Sequence, residues 1–207
     1  MEQDNLTFGQ NDVIVENRET LFQGFFRIDR ITLRHRTFAG DWTGSFTREL
    51  FERGEAVCVM LYDPALDDLI FTEQFRIGVA GSEQSPWLTE LVAGCVEEGE
   101  SYEDVAHRET LEEAGCSVQE LVPICRYWVS PGGTSERVQL YCGLLDSRGV
   151  EGLHGLAEEN EDIRLRRMGF DSAWQALEEG SINNAATIIA LQWLKINRDN
   201  LRSRWQA

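Results

Sequence analysis

From Phe26 onward apolar and basic side chains take turns, with Phe26, Ile28, Ile31 and Leu33 set against Arg27, Arg30, Arg34 and Arg36. This alternation across residues 21–38 predicts strands with one wet face. A turn around Gly40 to Gly44 separates them from a further strand at residues 45–51. Two continuous apolar runs follow, residues 56–62 and 69–75, which predict buried strands joined by the turn Asp63-Pro64-Ala65-Leu66-Asp67. Residues 88–93 lead into an acidic stretch. Beyond it the pattern predicts strands at 121–129, 138–145 and 163–168, then helices near 170–178 and 184–200. No internal repeat, low-complexity tract or Pro/Ser linker interrupts the chain. Strands interleaved with a few helices around one mixed sheet imply an α/β sandwich.

The acidic stretch predicts one more helix, at residues 101–114. Ser101 followed three residues later by Asp104 is a capping-box-like start, and Gly115 is a natural residue to end it. At roughly 100° per residue, Tyr102, Val105, Ala106 and Thr110 define the inward arc. Glu109, Glu112 and Glu113 fall on that same arc. Leu111 falls outside it, which leaves room for a second packed face. A solvated acidic face is the ordinary reading of such charges. It fares badly here, because Glu103, Asp104 and His107 already supply a polar outer side. Like charges at i,i+4 cost roughly 0.2–0.5 kcal/mol per pair even when exposed, and a bound divalent cation reverses that sign. Clustered oxygen ligands with no His or Cys among them favour a hard ion, Mg²⁺ or Mn²⁺, over zinc. Arg108 is placed to pair with a neighbouring carboxylate.

Composition changes this picture only at its edges. With 207 residues, 42% of them hydrophobic, the chain can bury a real core. A net charge of −17 argues against a nucleic acid or a membrane surface as partner. The acidity is compatible with a phosphate substrate where a metal lies between the two. Cys58, Cys95, Cys116, Cys125 and Cys142 are odd in number, lie mostly in apolar runs and form no Cys-x-x-Cys pair. They predict buried free thiols in a reducing cytoplasm. The polar, acidic N-terminus and the lack of any apolar run of spanning length agree with a cytoplasmic location.

Gly94, Glu100 and the run Arg108-Glu109-Thr110-Leu111-Glu112-Glu113-Ala114-Gly115-Cys116, with gaps of five and seven residues, together resemble the signature of the Nudix hydrolases. These enzymes cleave nucleoside diphosphates linked to another group. Every fixed position of the pattern is filled. Thr110 and Cys116 stand at two of its hydrophobic positions, departures that touch packing rather than chemistry. The resemblance implies the Nudix fold, an α-β-α sandwich with a mixed sheet over residues 51–207, and an N-terminal β-rich dimerisation region at residues 1–50. It also implies that the main-chain carbonyl of Ala93, with Glu109, Glu113 and Glu161, holds two or three Mg²⁺ ions per site, Mn²⁺ being the alternative. Arg108 and Glu112 would then support those ligands.

Three further segments bear on the substrate. Ser130-Pro131-Gly132-Gly133-Thr134-Ser135-Glu136 is, by its residues alone, an ordinary hairpin loop. With Pro131 sixteen residues beyond Gly115, however, it resembles the corresponding segment of the bacterial ADP-ribose pyrophosphatase branch. That similarity extends over residues 19–26, 48–54, 87–94 and 183–194. It implies a small nucleotide-sugar substrate, ADP-ribose, split to AMP and ribose 5-phosphate. Residues 152–162 form a glycine-flanked acidic loop, by default a solvated one. The resemblance implies Glu159 as general base and Glu161 as metal ligand, with Glu158 the neighbouring alternative for the base. It further implies that Arg76 contacts the diphosphate, that Arg48, Glu49 and Arg53 border the adenosine and ribose, and that Cys95 touches substrate through its main chain. Phe25 and Phe26 would offer an aromatic surface to the adenine. By their residues alone, these would be exposed ion pairs and core packing. In the family the N-terminal region reaches across a two-fold axis. Phe25, Phe26 and the loop residues Ser130, Pro131, Gly132 and Glu136 are therefore expected to serve the partner's site in a homodimer. Two rival readings are a pyrophosphatase for another nucleotide sugar, such as GDP-mannose, and a non-enzymatic nucleotide sensor. The complete set of box carboxylates speaks against the sensor.

Overall fold

A computed structural model describes residues 8–205, the side chain of Glu159 lying outside the described residues. The chain divides into two units. The first comprises the residues up to Gly54 together with Trp128–Glu136, and the second Glu55–Tyr127 with the residues from Arg137 onward.

In the first unit the alternating stretch forms an antiparallel three-stranded sheet of β1 (Val13–Gln23), β2 (Arg27–His35) and β3 (Phe46–Glu52), in that order. Asp29, fully buried, pins the register of β1 on β2. It pairs with Arg18 Nε at 2.5 Å and Arg27 Nε at 3.2 Å, and accepts a hydrogen bond from the Thr20 hydroxyl at 2.9 Å. Removing either arginine would leave this carboxylate, itself shielded from water, with one partner fewer. The segment carrying Ser130 folds back as a turn closed by the Gly133 and Thr134 N–H groups on the Ser130 carbonyl, at 3.1 and 3.0 Å. It docks on β3 through Phe51 N–H to the Gly133 carbonyl (2.8 Å) and Ser135 N–H to the Phe51 carbonyl (3.1 Å).

The second unit is an α-β-α sandwich. Its mixed sheet contains β4 (Glu55–Asp63), β5 (Asp68–Phe75), β6 (Trp87–Glu90), β7 (Val92–Cys95), β8 (Glu120–Trp128), β9 (Arg137–Leu144), β10 (Leu153–His154) and β11 (Ile163–Gly169), with the main order β10-β11-β5-β4-β9-β8. β4 and β9 pair in parallel, while β6 pairs with β5 and β7 with β4, both antiparallel. The run in β4 sorts its side chains by the strand period of two. Val57, Val59 and Leu61 pack toward α1 (Tyr102–Ala114), and Cys58, Met60 and Tyr62 toward α2 (Phe170–Glu178) and α3 (Ala185–Trp205). Fully burying each such side chain contributes roughly 1.5–3 kcal/mol, which makes this central strand the support for everything attached to its edges.

Several elements differ from the sequence pattern. The expected strand at residues 88–93 is two strands, because the chain changes partner at Leu91, from β5 to β7's partner β4. β1 begins well before residue 21, and β10 is an added two-residue strand. α3 runs on past Asn200 because Leu201 is buried, while Arg202 and Arg204 pair with Asp67 and Glu120. Leu111 is 63% exposed, so it packs no second face of α1. The cysteines are all free, but only Cys58 and Cys142 are buried, and Cys95 is exposed. Its position near the end of β7 takes it out of the core. No helix among the described residues is long and apolar enough to cross a membrane.

Candidate active site

Helix α1 is fixed at both ends by its own sequence. The Ser101 hydroxyl oxygen accepts from Asp104 N–H at 3.1 Å, the Asp104 carboxylate accepts from Ser101 N–H at 3.3 Å, and Gly115 closes the helix in the left-handed conformation. Val105, Ala106, Thr110, Glu113 and Ala114 face inward and are buried, whereas Glu103, Asp104 and His107 are exposed. The inward face lies on β7. There the Glu113 carboxylate accepts a hydrogen bond from Ala93 N–H at 3.0 Å. The Glu109 carboxylate is seated on Gly94, where any side chain would overlap it. Glycine at 94 is therefore a spatial necessity of the site rather than a turn signal.

Arg108 ties the rest together. Its guanidinium donates to both oxygens of Glu100 (2.9 and 3.1 Å), to Glu109 (2.6 Å), to Glu112 (3.3 Å) and to the carbonyl of Cys95 (3.3 Å). One planar cation thus orients three carboxylates and the end of β7, which a lysine, as a point charge, would not match. Arg108 holds the Glu100 carboxyl below its ordinary range, helped by Glu97 N–H.

The two inward carboxylates behave oppositely to Glu100. Burial pushes Glu113 up to about 8, against the pull of the Ala93 N–H, and Glu109 and Glu161 raise it further while Arg76 lowers it. Burial likewise pushes Glu109 up to about 7, opposed by Arg108 and reinforced by Glu112 and Glu161. Glu161 thus lies within electrostatic reach of both. Its chain position is held by its N–H on the Leu156 carbonyl at 3.2 Å. Among the described residues no three His, Cys, Asp or Glu side chains close on one point as a ready ligand set. Instead Glu109 is drawn to Arg108 and Glu113 to the backbone. Two carboxyls raised by burial and by neighbouring carboxylates are a donor set that a hard divalent cation satisfies, and all the donors are oxygens. The residues present fit such an ion.

The other expected site residues fall in separate places. Arg76, within the field of Glu113, pairs through Nε with Glu90 at 2.6 Å. Sequence reasoning missed Glu90, since the pairing of Phe75 with Trp87 is what brings the two together. It also missed Glu55, which receives the Tyr102 hydroxyl, Arg126 and Arg137 at the start of β4. Glu159 belongs to a short 3-10 turn at Ala157–Glu159, but its side chain lies outside the described residues, and Glu158 is exposed. Within the first unit, Phe26 stands edge-on to Phe25 and Phe51, and the Arg53 guanidinium lies over Phe26 at 5.0 Å and pairs with Glu136 at 3.5 Å. Phe25 is 91% exposed, which removes the core-packing reading for that residue. Arg48 lies over Phe46, with Glu49 exposed beside it, and Ser130, Pro131 and Gly132 form the exposed tip of their turn.

A family model described as the NUDIX domain matches residues 52–191. A curated ADP-ribose pyrophosphatase of Escherichia coli is 48% identical over 204 residues, 98% of this chain and 98% of its own. A GDP-mannose pyrophosphatase of Pectobacterium atrosepticum is 31% identical over 146 residues, 70% of this chain and 75% of its own. The fold is similar to that in a crystal structure of an ADP compounds hydrolase, with a TM-score of 0.65 and 21% identity, covering 91% of this chain and 97% of the other. On the matching family model and the near full-length likeness to a curated relative, the chain belongs to the NUDIX family and is a hydrolase enzyme.

Proposed function

We propose that this protein hydrolyses the diphosphate of ADP-ribose, with Mg²⁺, to AMP and ribose 5-phosphate. The observation that carries the chemistry is the seating of Glu109 and Glu113 against β7 within electrostatic reach of Glu161, where burial and neighbouring carboxylates raise both carboxyls and a bound cation would favour their charged forms. The likeness across 98% of both chains to a protein named ADP-ribose pyrophosphatase supports the substrate over GDP-mannose, where identity falls to 31% over 70% of the chain.

In this reading Glu109, Glu113 and Glu161, with the carbonyl of Ala93, hold two or three cations, Mn²⁺ being able to replace Mg²⁺. When bound, such ions neutralise the diphosphate and acidify water. Glu159 accepts the proton of the water that attacks phosphorus in line. Arg76 faces the diphosphate oxygens and stabilises their growing charge. Arg108 and Glu112 keep Glu109 oriented, and Cys95 meets the substrate through its main chain. Phe25, Phe26, Arg48, Glu49 and Arg53, with Ser130, Pro131, Gly132 and Glu136, border the adenosine and ribose. Phe25, Phe26 and the four loop residues do so for the partner's site in a homodimer.

Product chromatography tests the reading. The protein is incubated with ADP-ribose, GDP-mannose and NADH in parallel, each with Mg²⁺ and with EDTA. AMP plus ribose 5-phosphate from ADP-ribose, abolished by EDTA, is the expected outcome. Preferred turnover of GDP-mannose or NADH overturns the substrate, and turnover that persists in EDTA overturns the metal chemistry.

A further inference from the structure

We propose that Gly155, with His154 beside it, is a positioning residue that fixes Glu161 relative to the carboxylate helix. The inference rests on the reading of Glu161 as a metal ligand given above.

Gly155 has a φ of +97°, in the left-handed region that side chains disfavour. Space forbids a side chain there as well. A Cβ on Gly155 would fall 2.9 Å from Glu161 Cβ, 2.9 Å from its carbonyl oxygen and 3.1 Å from its carbonyl carbon. What fills the room left by the missing side chain is thus Glu161 itself. The loop is drawn shut around this contact by Glu161 N–H on the Leu156 carbonyl and by the pairing of His154 with Ile163. One residue back, the His154 ring rests on the C-terminal cap of α1: a Cβ on Gly115 would lie 2.6 Å from His154 Cε1 and 3.1 Å from Nδ1. An unbroken line of contacts therefore runs from the end of the helix bearing Glu109 and Glu113, through His154 and Gly155, to Glu161.

The neighbouring Gly152 supplies a natural comparison. Its φ is +113°, but a Cβ there would meet only His154 Nε2, at an ordinary 3.7 Å. Substituting alanine at either position imposes the same kind of backbone strain, and at Gly155 alone it also displaces Glu161. Groups that orient metal ligands typically change metal affinity about 10–100-fold when altered. That range sets the size of the effect to look for.

The test uses the full chain and Mn²⁺ alone, with free ion read by electron paramagnetic resonance, on wild type, G152A, G155A, E161Q and the double variant G155A/E161Q. Mn²⁺ binding is expected to weaken about tenfold or more in G155A and in E161Q, and to stay within about twofold of wild type in G152A. The double variant is expected to bind no worse than E161Q, because the glycine acts through that carboxylate. Wild-type binding by G155A, a loss equal to that of G152A, or the same G155A loss in the E161Q background each overturn the role of Gly155 alone. Wild-type binding by E161Q overturns the ligand reading of Glu161 and the positioning role with it. If circular dichroism shows G155A unfolded, H154A carries the same comparison without adding an atom. It should weaken Mn²⁺ binding in the native background and not in the E161Q background, and wild-type binding by H154A overturns the proposal.

Discussion

Glu113 is 2% exposed and its carboxyl is raised to about 8, first by burial and then by Glu109 and Glu161. Its unfolded value is near 4.3, so between roughly pH 4 and pH 8 the folded metal-free protein binds the proton more tightly than the unfolded one. The stability this provides is complete below the unfolded value and is lost as pH rises through the folded one. Glu109, raised to about 7, acts in the same direction. With EDTA present, the melting temperature should therefore fall between pH 5 and pH 8, and E113Q should flatten that fall. Mg²⁺ should raise the wild-type melting temperature more at pH 8 than at pH 5.5, since the ion competes with the proton for the same oxygens. Turnover in E113Q should drop by at least the ~10–100-fold that follows loss of a ligand's outer partner. A metal-free profile that E113Q leaves unchanged, or wild-type turnover of E113Q at saturating Mg²⁺, would remove Glu113 from the site.

At the scale of elements, α1 depends on its cap because its inward face carries charge as well as apolar groups. Ser101→Ala removes the acceptor for Asp104 N–H and should cost about 1 kcal/mol, a loss of roughly 2–4 °C in melting temperature. Turnover at saturating Mg²⁺ and at a temperature well below melting should hardly change. An unaltered melting temperature would mean that packing on β7 alone holds the helix start. This helix was legible in the sequence because all its determinants are local: the cap, the closing glycine and the 3.6-residue spacing that turns Glu109 and Glu113 inward. β4 and β5 were legible for a related reason, since strands buried on both faces are apolar throughout. β1 was not, because all eleven of its residues are exposed and no face of it carries a burial pattern. The seat of Glu109 on Gly94 follows from the pairing of β7 with β4, the ion pair of Arg76 and Glu90 from that of β5 with β6, and the contact of Gly155 with Glu161 from a backbone angle. None of these leaves a mark at a fixed spacing along the chain. The exposed Leu111 is the converse case, an apolar residue in a periodic helix for which the chain itself offers no neighbour.

For the molecule as a whole, the net charge of −17 opposes any meeting of two copies, yet that charge is unevenly spread. Residues 8–54 hold seven arginines against seven carboxylates, so the excess of acid lies elsewhere. The same stretch exposes Val13, Ile14, Val15, Leu21, Phe22 and Phe25. A neutral sheet with exposed apolar side chains is where two copies can associate without paying the electrostatic cost, and a two-fold homodimer is the commonest way of doing so. Sedimentation should therefore give a mass twice the 23.6 kDa of one chain. Phe22→Glu, on exposed β1, should shift the mass toward that of a single chain while leaving Mn²⁺ binding by the second unit intact. If Phe25, Phe26 and the Ser130 turn serve the partner's site, the same variant should raise KM for ADP-ribose more than it lowers kcat, because substrate positioning is lost and the metal carboxylates are not. A wild-type monomer at micromolar concentration would refute the dimer. A monomeric Phe22→Glu variant with unchanged KM would keep the dimer but return the adenosine contacts to a single chain, because only a shared site makes catalysis depend on the second copy.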